Sequence, residues 1–79
     1  MTLDQFPLGR KARILGIDAA RLAPDEVQRL QALGIDVGAE ISVAHCGVFG
    51  GRDPLAVNIG RMVVALRSAH ARALLVEAL

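Results

Sequence analysis

The side chains that could bind a metal ion are few and lie in two places along the sequence. His45 and Cys46 are adjacent, and His70 lies well downstream of them. Imidazole and thiolate groups are ligands that Zn²⁺ and Fe²⁺ accept in proteins. We therefore consider His45, Cys46 and His70 as a candidate metal site, with His70 placed in a short exposed helical turn as the additional ligand.

Strand geometry weakens this candidate metal site. Neighbouring residues on a strand point to opposite faces, so His45 and Cys46 would share one ion only if the strand bulged there. The competing interpretation, which we favour, is an ordinary strand end with a small apolar cysteine. Ligands from two chains could complete a site, so the sequence leaves a homodimer open. We expect no required cofactor, and any bound Fe²⁺ or Zn²⁺ to be peripheral to folding.

No pattern in the sequence predicts catalysis. Ser42 and Ser68 lack the flanking glycines of a nucleophile elbow, and neither histidine belongs to a recognisable triad pattern. The glycine-rich segment Gly47–Gly51 lacks the Lys-Ser/Thr ending of a phosphate-binding loop. We therefore expect a protein that is not an enzyme.

Composition favours a protein-binding domain over a nucleic-acid or membrane protein. The chain has 79 residues, a formal charge of +1 and 53% hydrophobic residues. A nucleic-acid-binding domain normally has a concentrated basic face and stacking aromatics, whereas only Phe6 and Phe49 are aromatic here. The apolar runs are far shorter than the roughly 20 residues of a membrane span. We expect one soluble, cytoplasmic domain over residues 1–79, with apolar surface left for a partner.

The clearest predicted element is a helix over residues 24–33. Pro24 suits the first helical position, and Asp25 and Glu26 place negative charge where the helix dipole favours it. Gly34 can adopt the left-handed conformation that ends a helix. The tight turn that follows should hold Gly38 at the position of positive φ.

The remaining pattern predicts short strands and short helical turns. The turns are expected near both ends of the chain, at residues 2–5 and 68–73. The strands are predicted over residues 11–17, 40–46, 55–59, 62–66 and 74–77. Five short strands with one main helix predict a mostly-β fold, a small closed barrel, because closure removes exposed strand edges.

Short motifs occur in a recognisable order along nearly the whole chain. They are Gly9 with Ala12-Arg13-Ile14, Arg29-Leu30-x-x-Leu33-Gly34-Ile35, Gly38-x-x-Ile41, Asp53-Pro54, Ala65-Leu66-Arg67 and Ala71-x-x-Leu74-x-Val76. This ordered series resembles the FeoA family of ferrous-iron-transport accessory proteins. The chain departs from the family where Val37-Gly38 replaces the frequent Pro-Gly, and where the loop Gly51–Pro54 is longer by one residue.

The resemblance implies a fold, a location and a partner. The fold would be an SH3-like five-stranded barrel in the bacterial cytoplasm. The partner would be the membrane ferrous-iron transporter FeoB, contacted at its cytoplasmic GTP-binding region. Because the same fold occurs as the C-terminal domain of metal-dependent repressors, the alternative is a transition-metal-binding or metal-sensing domain whose own ion is functional.

The loop residues Val48 and Phe49 are the candidate partner-binding residues. Phe49 lies between glycine-containing segments, where a small barrel can hardly cover an aromatic ring. Two interpretations compete for it. Phe49 either closes one end of the barrel as a lid, or it anchors the domain in a pocket of the partner.

Overall fold

The computed structural model describes residues 1–45 and 54–79, with His45 described by its backbone alone. A short 3₁₀ turn, Leu3–Gln5, precedes the main elements. These are β1 (Lys11–Ile17), α1 (Pro24–Ala32), β2 (Glu40–His45), β3 (Leu55–Ile59), β4 (Met62–Leu66), α2 (Ser68–Ala71) and β5 (Leu74–Ala78). The mostly-β prediction with one main helix is therefore confirmed, and β1, β3 and β4 have the predicted bounds.

The strands form one antiparallel sheet in the order β4-β3-β2-β1-β5. Within the described part of the chain this order leaves β4 and β5 at the two ends, so the full closure that we expected is not seen. The outer edge of β5 is covered by the N-terminal segment instead. Val76 N–H donates to the carbonyl oxygen of Met1 at 2.7 Å, and Thr2 forms an isolated bridge with Leu75.

One apolar core holds the sheet, the N-terminal segment and the helices together. Alternation along β2 and β5 buries Ile41 and Val43, and Leu74 and Val76. The largest fully buried side chains are Leu3, Ile14, Ile35, Leu55, Leu74, Val43, Val57 and Val76. Helix α1, strand β4 and helix α2 add Leu30, Leu66 and Ala71 to the same core, so the elements that border the candidate site share it.

The first and last turns of α1 follow the chemistry predicted for them. Glu26 accepts a hydrogen bond from the backbone N–H of Ala23 at 2.9 Å, which satisfies a donor at the start of the helix. Leu30 is buried against the core. The chain leaves the helix through Gly34, whose φ is +94°. The last helical residue is Ala32, one residue earlier than predicted.

The turn between α1 and β2 is built around Gly38. The backbone N–H of Ala39 donates to the carbonyl oxygen of Asp36 at 3.0 Å, and Gly38 has a φ of +89°. Glycine adopts this backbone conformation without the steric cost that a side chain adds. Gly38 N–H also donates to the carbonyl oxygen of Ile14 at 2.8 Å, which fixes the turn against β1. The predicted positive φ at Gly38 is confirmed.

Candidate functional site

A close contact between two titratable side chains joins α1 to α2. His70 Nε2 lies 2.7 Å from Glu26 Oε2, across 44 positions of sequence. The His70 side chain is only 25% exposed. The expectation that His70 sits in an exposed turn was therefore wrong, because a carboxylate from the other helix holds its ring against the domain.

The Glu26 carboxylate is stabilised in its ionised form. The hydrogen bond from the Ala23 backbone N–H is the main cause that lowers the pKa of Glu26 below its ordinary 4.5, followed by the hydrogen bond with His70. The positive charge of Arg29 lowers the pKa further by a smaller amount. Glu26 is therefore a fixed anion whose oxygens are both engaged, one capping α1 and one holding α2.

A groove lies beside this contact, between α1 on one side and β4 with the start of α2 on the other. Its volume is about 190 Å³. Apolar side chains from the two walls line it, and arginines border it: Leu30, Leu33, Val64, Leu66, Arg29 and Arg67. Sites for drug-sized ligands usually measure about 300–1,000 Å³. The groove is therefore better suited to one or two side chains of a protein partner than to an organic cofactor.

The three predicted metal ligands are not all within the described residues. His70 is engaged with Glu26, His45 is the last residue of β2, and Cys46 lies outside the described residues. The register of β2 with β3 shifts between Val43 and His45, so strict strand alternation does not extend to this end of β2. In residues 1–45 and 54–79, no three His, Cys, Asp or Glu side chains cluster as a metal ion requires. The metal site stays a prediction.

The predicted partner-binding residues Val48 and Phe49 also lie outside the described residues, and their role stays a prediction. The groove, by contrast, was not predicted. A partial signal for it exists in the sequence, because Val27, Leu30 and Leu33 recur at helical spacing. Leu30 is fully buried while Leu33 is only half-buried. The end of this apolar stripe therefore faces the groove instead of the core.

No helix in the described ranges is long and apolar enough to cross a membrane.

Comparison with protein families places almost the whole chain in one of them. The model of the FeoA domain family matches residues 1–78. A search of curated proteins gave no significant match.

Solved structures with the same fold include several FeoA proteins. FeoA from Stenotrophomonas maltophilia, a prokaryotic SH3 domain protein crystallised with zinc, is 33% identical with a TM-score of 0.81, and the match covers 98% of this chain and 89% of that one. FeoA from Chlorobium tepidum is 28% identical with a TM-score of 0.87, over 100% of this chain and 70% of that one.

A third solved structure is longer than this chain. Iron(II) transport protein A from Clostridium thermocellum is 25% identical with a TM-score of 0.87, and the match covers all of this chain but only 46% of that protein. This chain thus spans less than half of that relative. The likeness to an SH3 domain protein confirms the SH3-like fold class. With a family match over residues 1–78, the chain belongs to the FeoA family.

Proposed function

We propose that this chain is a small cytoplasmic accessory protein of ferrous-iron uptake, which regulates the membrane transporter FeoB by contacting its cytoplasmic GTP-binding region. The observation that carries this proposal is the FeoA family match over residues 1–78. The Stenotrophomonas maltophilia FeoA is named as a candidate activating factor of bacterial ferrous iron transport. The protein acts in this proposal through binding and not through catalysis.

The described surface supports a binding role. Apolar side chains remain exposed on β4, where Met62 is 48% and Val63 is 65% exposed. These two side chains point to opposite faces of an edge strand, and apolar groups exposed at such an edge can be covered by a protein partner. The acid-base pair at the groove, Glu26 and His70, is engaged in holding α2 against α1. Its geometry supports a structural role for these two groups.

The loop with Val48 and Phe49 is the proposed anchor for FeoB. Anchor residues of protein interfaces are commonly aromatic side chains that enter a pocket of the partner. The proposal is tested in cells that depend on FeoB for iron and lack this chain. We expect uptake of radiolabelled ferrous iron to change on its deletion and to be restored by the wild-type chain, but not by Phe49→Ala. Leu8→Ala, at another exposed apolar position, should restore uptake as the control.

A second function has one specific observation in its favour, the zinc bound to the Stenotrophomonas maltophilia FeoA. A metal-binding or metal-sensing domain would bind Zn²⁺ or Fe²⁺ stoichiometrically through His45, Cys46 and His70. Calorimetric titration with each ion, under anaerobic conditions for Fe²⁺, separates the two functions. Tight binding that Cys46→Ser abolishes, together with loss of uptake control in the same variant, would favour the metal function. Uptake control that survives Cys46→Ser would favour the protein contact.

A further inference from the structure

The outer edge of β4 carries backbone groups that point away from the sheet. β4 pairs with β3 from Ile59↔Met62 onward across a two-residue turn. In an antiparallel ladder, residues bonded to the partner strand alternate with residues whose N–H and C=O groups point outward. The pair that closes a two-residue hairpin is a bonded one. The backbone N–H and C=O groups of Val63 and Ala65 therefore face outward. Those of Met62, Val64 and Leu66 face β3.

The two ends of the sheet differ in how their edges are covered. On β5 the N-terminal residues Met1 and Thr2 supply a carbonyl acceptor and a bridge. On β4, no other described segment hydrogen-bonds to the backbone of Val63 or Ala65. An uncovered edge strand with exposed apolar side chains is a template for pairing with a further strand. The Val63 side chain on this edge is 65% exposed.

The groove beside β4 has the walls that an added strand needs. One wall is the strand itself, because its consecutive residues from Val64 to Leu66 all line the groove, followed by Arg67 just beyond the strand. The other wall is the face of α1 that carries Leu30 and Leu33. A segment lying along β4 would thus have its backbone next to the outward groups of the strand. Its side chains could then enter an apolar groove bounded by a helix.

The charges at the groove favour an acidic occupant. Arg29 and Arg67 are both exposed at its border. Arg67 makes no ion pair with any residue in the described ranges. Glu26 also lines the groove, but its carboxylate is engaged by His70 and the Ala23 N–H. The guanidinium groups are thus the charges left to attract a ligand, and guanidinium pairs well with carboxylate.

We propose that this groove binds an extended acidic segment of another protein, which adds to β4 as a further antiparallel or parallel strand. The backbone of the segment bonds to Val63 and Ala65. An apolar side chain enters the space between Leu33 and Val64, and neighbouring carboxylates contact both Arg29 and Arg67. The surface is built from described residues alone, and the proposal does not depend on which protein supplies the segment.

The test uses amide hydrogen exchange by NMR with a defined probe. The probe is a synthetic peptide with capped ends in which valine alternates with aspartate, and its control has lysine in place of aspartate. In the free protein we expect fast exchange at Val63 and Ala65, and slow exchange at Val64. The acidic peptide should slow Val63 and Ala65 by about tenfold when about nine in ten molecules are occupied, because exchange then requires dissociation. The lysine peptide should leave both amides unchanged.

Charge reversals supply the matched variants. Arg67→Glu and Arg29→Glu should each weaken binding of the acidic peptide by about tenfold or more, the loss expected for a charge-assisted contact. Arg61→Glu makes the same charge change in the turn before β4, at an exposed residue away from the groove, and should bind as the wild type does. Ala65→Pro removes one outward N–H, and should abolish the protection at Val63 if the variant remains folded.

Three results would overturn the proposal. The first is an acidic peptide that protects neither Val63 nor Ala65 at millimolar concentration. The second is equal weakening by Arg61→Glu and Arg67→Glu, which would indicate a nonspecific charge effect. The third is protection of Val63 and Ala65 that rises with protein concentration in the absence of peptide, which would assign the edge to a second copy of this chain. None of these results depends on FeoB, so they leave the proposed function to its own test.

Discussion

Replacing Gly38 with valine tests the backbone conformation on which the α1–β2 turn depends. Gly38 has a φ of +89°, and a Cβ atom added there would meet no atom within 4 Å. The cost of a side chain is therefore conformational and not a collision with neighbours. A β-branched residue held in this region costs about 1–3 kcal/mol. Valine also restricts the unfolded chain, which offsets about 0.4–1 kcal/mol of that cost. From the middle of both ranges, the net loss in the free energy of unfolding is about 1.3 kcal/mol.

The matched control is Gly16→Val in β1. A Cβ at Gly16 also meets no atom within 4 Å, but Gly16 is not in the positive-φ region, and strands accept valine well. In thermal melts followed by circular dichroism, the melting temperature of Gly38→Val should fall by about 4–8 °C for each kcal/mol of stability lost. The melting temperature of Gly16→Val should equal or exceed that of the wild type. A Gly38→Val variant that melts with the wild type would refute the assigned turn.

Three further predictions concern metal, partner and pH. A strong chelator should leave the circular dichroism spectrum unchanged. Unfolding on chelation would instead show that the fold requires a bound metal ion. Phe49→Ala should weaken FeoB binding by about tenfold or more with little change in melting temperature, whereas a loss of stability alone would make Phe49 a core lid. The lowered pKa of Glu26 means that its ionised form stabilises the fold above the ordinary 4.5 and that this contribution is lost as pH falls through the lower folded value. The difference in the free energy of unfolding between wild type and Glu26→Gln, measured by urea titration, should therefore shrink below pH 4.5. A difference that does not change with pH would contradict the claim that hydrogen bonds stabilise the ionised Glu26 carboxylate in the folded protein.

The elements with local signals could be predicted from the sequence. The helix α1 has Pro24 at its start and Gly34 just beyond its end, and both act within one turn of the chain. The hairpin of β3 and β4 follows in the same way from a turn that contains Gly60, with a φ of +57°. Alternation of apolar and polar residues along β2 and β5 is likewise a local signal for the side chains that are buried. These signals depend only on residues that are neighbours in sequence, so one amino-acid sequence is enough to detect them.

The features that depend on distant residues could not be predicted. The contact between His70 and Glu26 joins helices 44 positions apart, and no local pattern indicates that they meet. The groove depends likewise on how α1 lies against β4. Closure of the barrel was inferred from the general need to cover strand edges, but the N-terminal residues Met1 and Thr2 cover β5 instead. Such long-range packing is set by the whole core, and sequence spacing alone does not determine it.

Direct binding to the transporter tests the central claim, that this FeoA family member acts by contacting FeoB. The purified cytoplasmic GTP-binding region of FeoB is titrated with the wild-type chain by calorimetry, without nucleotide, with GDP and with a nonhydrolysable GTP analogue. We expect saturable binding in at least one of these states, and a difference in affinity between the GDP and GTP-analogue states if the contact regulates transport. Absence of binding in every nucleotide state would contradict the proposed function.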